Sequence, residues 1–455
     1  MLGDMTTYDV DVVVLGLGPG GEYAAQKLAE AGLDVVGVER DLVGGECPFY
    51  GCIPSKMMVR AADALGEARR VDHLAGTAAV SADWTKVARR IDKQATHHWQ
   101  DDSHVERLEE AGVRIVRGSG RLDGTASVRV GEDTYRATRG VVLGVGTSPA
   151  TPPIDGLDAT PYWTNREIVK VTELPRSLVV IGGGPIGCEL AQAFSRFGSE
   201  VTVLEVADRI LAPEEPESSA MLARVFREEG IRVETGLTVE RVDHDGVFTI
   251  ITDRGEFVAD QLLVAAGRSP NLGGIGLDTV GLDPEARAVE TDERMRAGER
   301  LWAVGDITGH GAFTHVSMYQ GEIAVRDLLG QDGFTADYRA VSRVTFTDPE
   351  VGSVGMTEQQ ARDEGIDVRV GHAVLSESSR GWIHDLGNDG LIKLVADAER
   401  GILVGATSAG PSGGEVLGLL ALAVHAQVPL EQLASMHYAY PTFHRAIDVA
   451  VTSLL

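Results

Sequence analysis

Two cysteines five residues apart, in the run Glu46-Cys47-Pro48-Phe49-Tyr50-Gly51-Cys52-Ile53-Pro54-Ser55-Lys56, are the residues of this chain best suited to chemistry. A disulfide needs Cα atoms about 4.4–6.8 Å apart, whereas positions five apart on an unbroken helix lie roughly 8–9 Å apart. Pro48, Gly51 and Pro54 each disfavour a continuous helical turn, so the run predicts a local break that brings the sulfurs together. A redox-active disulfide is the favoured reading. Inert buried thiols and a metal site are the alternatives, and the metal lacks the further Cys or His ligands it would need nearby, so no metal is expected. Lys56 follows Cys52 by four residues, so a helix through both places them on one face. An ammonium there would stabilise a thiolate; a solvated surface lysine is the alternative. Cys188, remote from the pair, is expected to be a packing residue.

A second chemistry is written in glycines. The segment VVVLGLGPGGEYAAQKLAEAGLDVVGVER runs from an apolar stretch through Gly16, Gly18 and Gly21 into helical spacing, then into a second apolar stretch closed by Glu39. LVVIGGGPIGCELAQAFSRFGSEVTVLEV repeats that order at Gly182, Gly184, Gly187 and Glu205. In a strand-turn-helix of this kind the first glycine makes the turn, the second lets backbone approach a pyrophosphate, and the third lets helix pack on strand. The helix N-terminus offers N–H groups to phosphates, and each glutamate can accept from ribose hydroxyls. Two dinucleotide-binding folds are expected. Each closes alike, in buried strands running into Gly146 and Gly267, and a third strand-like run ends at Gly305-Asp306. That places the Asp306 carboxylate at a strand's C-terminal end, where ligands of open α/β sheets sit; a plain turn residue is the alternative.

The elements that must carry these residues fit the size of the chain. At 455 residues the prior is about three domains. Hydrophobic residues are 43% and charged residues 24%, ordinary globular usage. No apolar run reaches the ~18 residues of a membrane span, so no membrane association is expected. The start, MLGDMTTYDV, lacks a cationic patch ahead of an apolar run, so no leader and a cytoplasmic location are expected. A net charge of −27 argues against nucleic acid as a partner. Three cysteines cannot form an extracellular disulfide framework. Beyond about residue 340, LIKLVAD, GILVGAT and EVLGLLALAVHAQ predict two strands and a helix of a separate α+β domain that mediates assembly.

Taken together, these motifs resemble the flavoprotein disulfide reductase family, which includes dihydrolipoyl dehydrogenase, glutathione and mycothione reductases and mercuric reductase. The likeness spans nearly the whole chain, from Gly16-x-Gly18-x-x-Gly21 through Cys47-x4-Cys52-x-x-Ser55-Lys56, Gly182-x-Gly184-x-x-Gly187 with Glu189, and Gly305-Asp306, to Tyr440-Pro441-Thr442. It implies an α/β architecture of two Rossmann-like domains, the first for FAD and the second for NAD(P), plus a C-terminal α+β dimerisation domain. The expected division is an FAD domain over 1–153, an NAD(P) domain over 154–273, a return segment completing the FAD domain over 274–339, and dimerisation over 340–455. The resemblance also implies that Asp306 meets the flavin ribityl chain, that Glu189 pairs with Lys56 beside the isoalloxazine, and that a homodimer completes each active site. Nicotinamide would pass hydride to flavin, and flavin would reduce the Cys47–Cys52 disulfide. The dithiol would then act by exchange, with Cys47 the outward thiol and Cys52 against the flavin. Glu205, where a 2′-phosphate would be repelled, favours NAD(H) over NADP(H), although Arg209 lies near in sequence.

The chain departs from the family in two places. Many disulfide-exchanging members carry His-Pro-Thr-x-x-Glu near the C-terminus, where this chain reads Tyr440, Pro441, Thr442, Phe443, His444, Arg445. A phenol with a pKa near 10 is a proton donor rather than a base at pH 7. His444 would lie within one turn if Pro441 began a helix, and is the candidate substitute; packing is its alternative, and His437 is a weaker candidate. Between the cysteines, Phe49 and Tyr50 replace smaller residues, and are expected either to line the substrate side or simply to pack. No further cysteine pair follows, against mercuric reduction, and the missing dyad counts against lipoamide. The expected function is an FAD-dependent NAD(P)H oxidoreductase acting through Cys47 and Cys52 on a disulfide or dithiol. The alternatives are direct transfer from flavin to a quinone, metal ion or small metabolite, and a nucleotide-binding redox sensor.

Overall fold

The structure is a computed structural model that describes residues 6–455. The first five, part of the stretch on which the expectation of no leader rests, lie outside the described residues. The chain folds into two units, one of residues 6–54, 90–150 and 268–337 and the other of 55–89, 151–267 and 338–455. Residues 55–89 therefore pack with the second unit, although the sequence division puts them in the first domain.

The first unit is built on a sheet ordered Arg296–Gly298, Leu301–Ala303, Asp133–Leu143, Thr7–Leu15, Val35–Glu39, Val113–Arg117. Its central strand pairs in parallel on both sides, Val12 opposite Val35 and Gly140. Val12 through Leu15 are all buried, the unbroken apolar run that a strand covered on both faces requires. The Pro19–Glu30 helix begins with proline at its first turn, where the missing N–H costs nothing. It buries Ala24, Ala25 and Leu28. Small residues set its approach to the Thr314–Leu328 helix: a Cβ on Gly20 would strike the Ser317 carbonyl, and one on Gly321 the Gly20 carbonyl.

In the second unit a parallel sheet runs Arg232–Thr235, Glu200–Glu205, Ser177–Ile181, Gln261–Val264. Beside it stands an antiparallel sheet ordered Ser342–Thr345, Glu350–Gly355, Ile402–Gly410, Leu391–Asp397, Val368–Val374. Helices Gly413–His425 and Ala446–Thr452 supply Leu417, Leu420, Ile447 and Val451 to its core. A mixed sheet with a parallel core, a parallel sheet and an α+β element thus match the α/β architecture expected. Among the described residues, no helix is long and apolar enough to cross a membrane.

A polar seam fastens the Cys52–Leu74 helix to the Pro185–Phe197 helix. Residues 56, 63 and 70, two turns apart, form one stripe. Lys56 pairs with Glu189, Asp63 with Arg196 and Arg70 with Asp348. Arg196, only 3% exposed, also binds Glu229 and Asp348. Burial, then the nearby Asp348 and Glu350 carboxylates, push the Asp63 carboxyl up to about 6 against the pull of Arg196. A carboxyl raised above its ordinary value holds its proton more tightly when folded, so its contribution is present below about pH 4 and is lost as pH rises through 6. Asp63 is 38% exposed, so solvent screening reduces the effect to about 1 kcal/mol. Asp63→Asn should remove that slope: its melting temperature relative to wild type should rise by about 1–2 °C between pH 4 and pH 7. A flat difference would refute the assignment.

Candidate active site

In the first unit the chain turns from strand to helix at Gly16, whose φ of +93° is left-handed. A Cβ there would sit 2.5 Å from the Gly144 carbonyl oxygen, and a Cβ on Gly21 would fall onto the Gly16 carbonyl. Beside Gly18, by contrast, there is open space. Gly18 is the helix N-cap and supplies no side-chain cap, so the first-turn amides point outward without one. Glu39 is buried and accepts from the Leu17 and Asp41 amides, each at 2.8 Å. Both oxygens are oriented and keep lone pairs for a further donor. Gly146, at φ +62°, precedes Thr147, whose hydroxyl donates to Asp306 at 2.6 Å. Arg268 donates to that same hydroxyl oxygen. Gly305, at φ +81°, opens the turn that carries Asp306, and its amide donates to the buried Gln320. An open cradle at a helix N-terminus, an oriented acid and a second carboxylate at a strand end fit the pyrophosphate, ribose and ribityl groups of FAD.

The second unit repeats the cradle. Gly182 has φ +109°, a Cβ on Gly187 would fall onto the Gly182 carbonyl, and Gly184 again faces open space. Glu205 accepts from the Gly183 amide at 2.5 Å and the Ala207 amide at 2.7 Å. Gly267, at φ +111°, follows the Gln261–Val264 strand. Arg209 turns to the Ala212 carbonyl and Asp208, and its Nε is buried without a partner. Cys188 is fully buried and donates to the Gly183 carbonyl, and burial pushes its thiol up.

The cysteine run breaks as its sequence demands. A short helix, Glu46–Phe49, ends at Tyr50, and a new one starts at Cys52, with Gly51 in the bend. Cys47 and Cys52 are both thiols within hydrogen-bond reach of each other. The Thr314 hydroxyl lies 3.6 Å from the Cys52 sulfur. The hydrogen bond to Cys52, then burial, push the Cys47 thiol up. Cys47 is half-buried and Cys52 exposed.

One turn beyond Cys52, Lys56 donates to Glu189 at 2.5 Å. Glu189 is 5% exposed and also accepts from the Phe346 amide at 2.9 Å, while the ammonium stands 4.7 Å from the Phe346 ring centre. Gln192 holds the same segment two residues on, donating to the Asp348 carbonyl and accepting from its amide. Thr314, Phe346 and Gln192 carry no sequence signal of their own; only the fold brings them to these partners.

At the C-terminus, Pro441 does not begin a helix. The Tyr440–Pro441 bond is cis and the helical turn starts at Phe443. Tyr440 is 70% exposed, with the Arg445 guanidinium 5.8 Å from its ring centre. His444 is half-buried beside Tyr438, its Nε2 3.5 Å from the Thr442 hydroxyl, and His437 is exposed.

Residues 10–321 match the pyridine nucleotide-disulphide oxidoreductase family and residues 341–451 its dimerisation domain. The chain belongs to that family. The dihydrolipoyl dehydrogenase of Halobacterium salinarum is 35% identical over 465 residues, covering 98% of this chain and 96% of its own. A mercuric reductase of Staphylococcus aureus is 31% identical, covering 97% of this chain and 82% of its own. Among solved structures, the HOCl-induced flavoprotein disulfide reductase RclA from Escherichia coli, as its Cu(II) complex, aligns with a TM-score of 0.86 at 26% identity, over 98% of this chain and 99% of that one. This member of the family is an FAD-dependent oxidoreductase.

Proposed function

We propose that this oxidoreductase reduces a disulfide, or oxidises a dithiol, through Cys47 and Cys52. The observation that carries the reading is the broken helix that brings both sulfurs within hydrogen-bond reach, beside Thr314, in the same unit as the FAD cradle. FAD supplies the step from a two-electron hydride donor to a thiol pair. The protein's residues do the rest. As the family resemblance implies, Cys47 is the exchanging thiol, which attacks as its thiolate, and Cys52 is the sulfur that faces the flavin. Lys56, one turn along the same helix and fixed by Glu189, keeps a positive charge available where negative charge develops. Glu39 and Glu205 hold ribose hydroxyls, and Asp306, oriented by Thr147, takes a hydroxyl of the flavin side chain. Tyr440 donates a proton to the departing thiolate, with His444 as the candidate base in place of the family dyad. The active form is a homodimer formed through residues 341–451, and it works in the cytoplasm.

Glu205 supports NAD(H) over NADP(H), because its carboxylate would repel a 2′-phosphate. Arg209, spent on Asp208 and Ala212, supplies little compensation. NADH should therefore give a kcat/KM about tenfold or more above that of NADPH; equal values would contradict the role given to Glu205.

A second reading is favoured by one observation, the absence of a histidine at position 440. In it FAD passes electrons directly to a quinone, metal ion or small metabolite, and the thiols are secondary. The deciding experiment is an anaerobic acceptor comparison with lipoamide, low-molecular-weight disulfides, quinones and Hg(II). Disulfides turned over by wild type and lost in Cys47→Ser support the first reading. An acceptor whose turnover is intact in Cys47→Ser supports the second.

A further inference from the structure

Phe49 and Tyr50 lie side by side between the cysteines, yet the fold separates them. Phe49 is 2% exposed and packs on His104. Tyr50 remains half-exposed. Its amide donates to the Glu46 carbonyl at 2.8 Å, the bond that caps the short helix, and its φ of −127° ends that helix there. Tyr50 follows Cys47 by three residues and precedes Cys52 by two, at the break between the two helices. Of the two aromatic residues between the cysteines, the one that stays accessible is thus the phenol.

That ring has a flat partner. The half-exposed indole of Trp99 stacks on Tyr50 with ring centres 5.9 Å apart and planes 14° from parallel. Trp99 is delivered by an unusual turn: His97, His98 and Trp99 have φ of +46°, +62° and +60°, three consecutive side-chain-bearing residues in the left-handed region. Such a conformation is unfavourable at each of the three and persists only where its surroundings over-determine it. Here they do. Fully buried Thr96 donates to the Ile91 and Asp92 carbonyls and accepts from the Trp99 amide. His98 binds Asp92 twice, amide to carbonyl and imidazole to carboxylate. An indole that only filled space would not require three strained residues and a dedicated buried threonine.

We infer that Tyr50 and Trp99 form a stacked aromatic wall beside Cys47 that selects disulfides carrying a flat aromatic ring next to the scissile bond. The inference rests on the disulfide-reductase reading above and gives it a substrate class. The Cys47 thiolate attacks one sulfur of R–S–S–R′, a Cys47–S–S–R bond forms, and R′–S⁻ leaves. The Cys52 thiolate then attacks Cys47, closing the protein disulfide and releasing R–S⁻. Two electrons pass from the dithiol to the substrate, the protons lost by the two thiols reach the two released thiolates by way of Tyr440 and solvent, and NAD(P)H restores the dithiol by way of FAD. A planar R group lying against the wall adds a stacked pair near the transition state, an interaction of the size that changes rates about tenfold.

The test compares two neutral substrates, 2,2′-dithiodipyridine and bis(2-hydroxyethyl) disulfide, under anaerobic NADH with the flavin-loaded enzyme. Intrinsic leaving-group reactivity cancels when each variant's aromatic-to-aliphatic ratio of kcat/KM is divided by that of wild type. The ratio is expected to fall about tenfold in Tyr50→Val and in Trp99→Ala, and by less in Trp99→Phe, which keeps a ring. Should Trp99→Ala fail to fold, Tyr50→Val and Trp99→Phe carry the comparison. An unchanged ratio in the folded variants, with both substrates turned over, overturns the wall alone. A wild-type enzyme that reduces ferricyanide with NADH but neither disulfide overturns the underlying reading and the wall with it.

Discussion

Replacing either redox cysteine is expected to remove disulfide turnover by at least on the order of a thousandfold, because the attacking sulfur or the resolving sulfur is then missing altogether. The two losses should differ in kind. In Cys47→Ser the exchanging thiol is gone, yet the Cys52 sulfur remains beside Thr314, so a one-electron acceptor that takes electrons from flavin is still reduced. In Cys52→Ala a mixed disulfide with Cys47 can form but not resolve, so one equivalent of thiol is released and turnover stops. Measuring released thiol per enzyme separates the two: none for Cys47→Ser, one for Cys52→Ala. Multiple turnovers in either variant would mean that the sulfurs do not act as a pair.

The second large effect concerns the two cradles. Gly21→Ala places a methyl group on the Gly16 carbonyl, and Gly187→Ala places one on the Gly182 carbonyl. Neither backbone oxygen can yield without opening its turn, and overpacking of this kind costs about 1–3 kcal/mol or more, up to a hundredfold in affinity. If the first cradle is for FAD and the second for the nicotinamide nucleotide, the outcomes diverge. Gly21→Ala should purify largely without flavin absorbance. Gly187→Ala should stay yellow but need about a hundredfold more NADH for half-maximal flavin reduction. Flavin loss from Gly187→Ala with retention in Gly21→Ala would reverse the assignment.

How far the sequence could be read divides along physical lines. The glycine fingerprints were legible because each glycine answers a local steric demand, and the structure shows that demand: a left-handed φ at Gly16 and Gly182, no room for Cβ at Gly21 and Gly187. The broken helix at Gly51 was legible for the same reason. Roles set by distant partners were not. The sequence treats Phe49 and Tyr50 alike, and only the fold sends one to the core and the other to Trp99, about fifty residues away. The seam through Asp63, Arg196 and Asp348 joins three segments with no shared motif. At Pro441 a reasonable local rule misleads: proline is well suited to a helix's first turn, but here the helical turn waits until Phe443.

The measurement that bears most directly on the sulfur–flavin relay is an anaerobic titration with NADH, followed by absorbance. A broad long-wavelength band, the signature of a thiolate donating into oxidised flavin, should grow in wild type as the first two electrons arrive, and should be absent from Cys52→Ala, whose flavin bleaches directly. A band of equal strength in both proteins, or none in either, would show that Cys52 is not the sulfur that exchanges electrons with flavin.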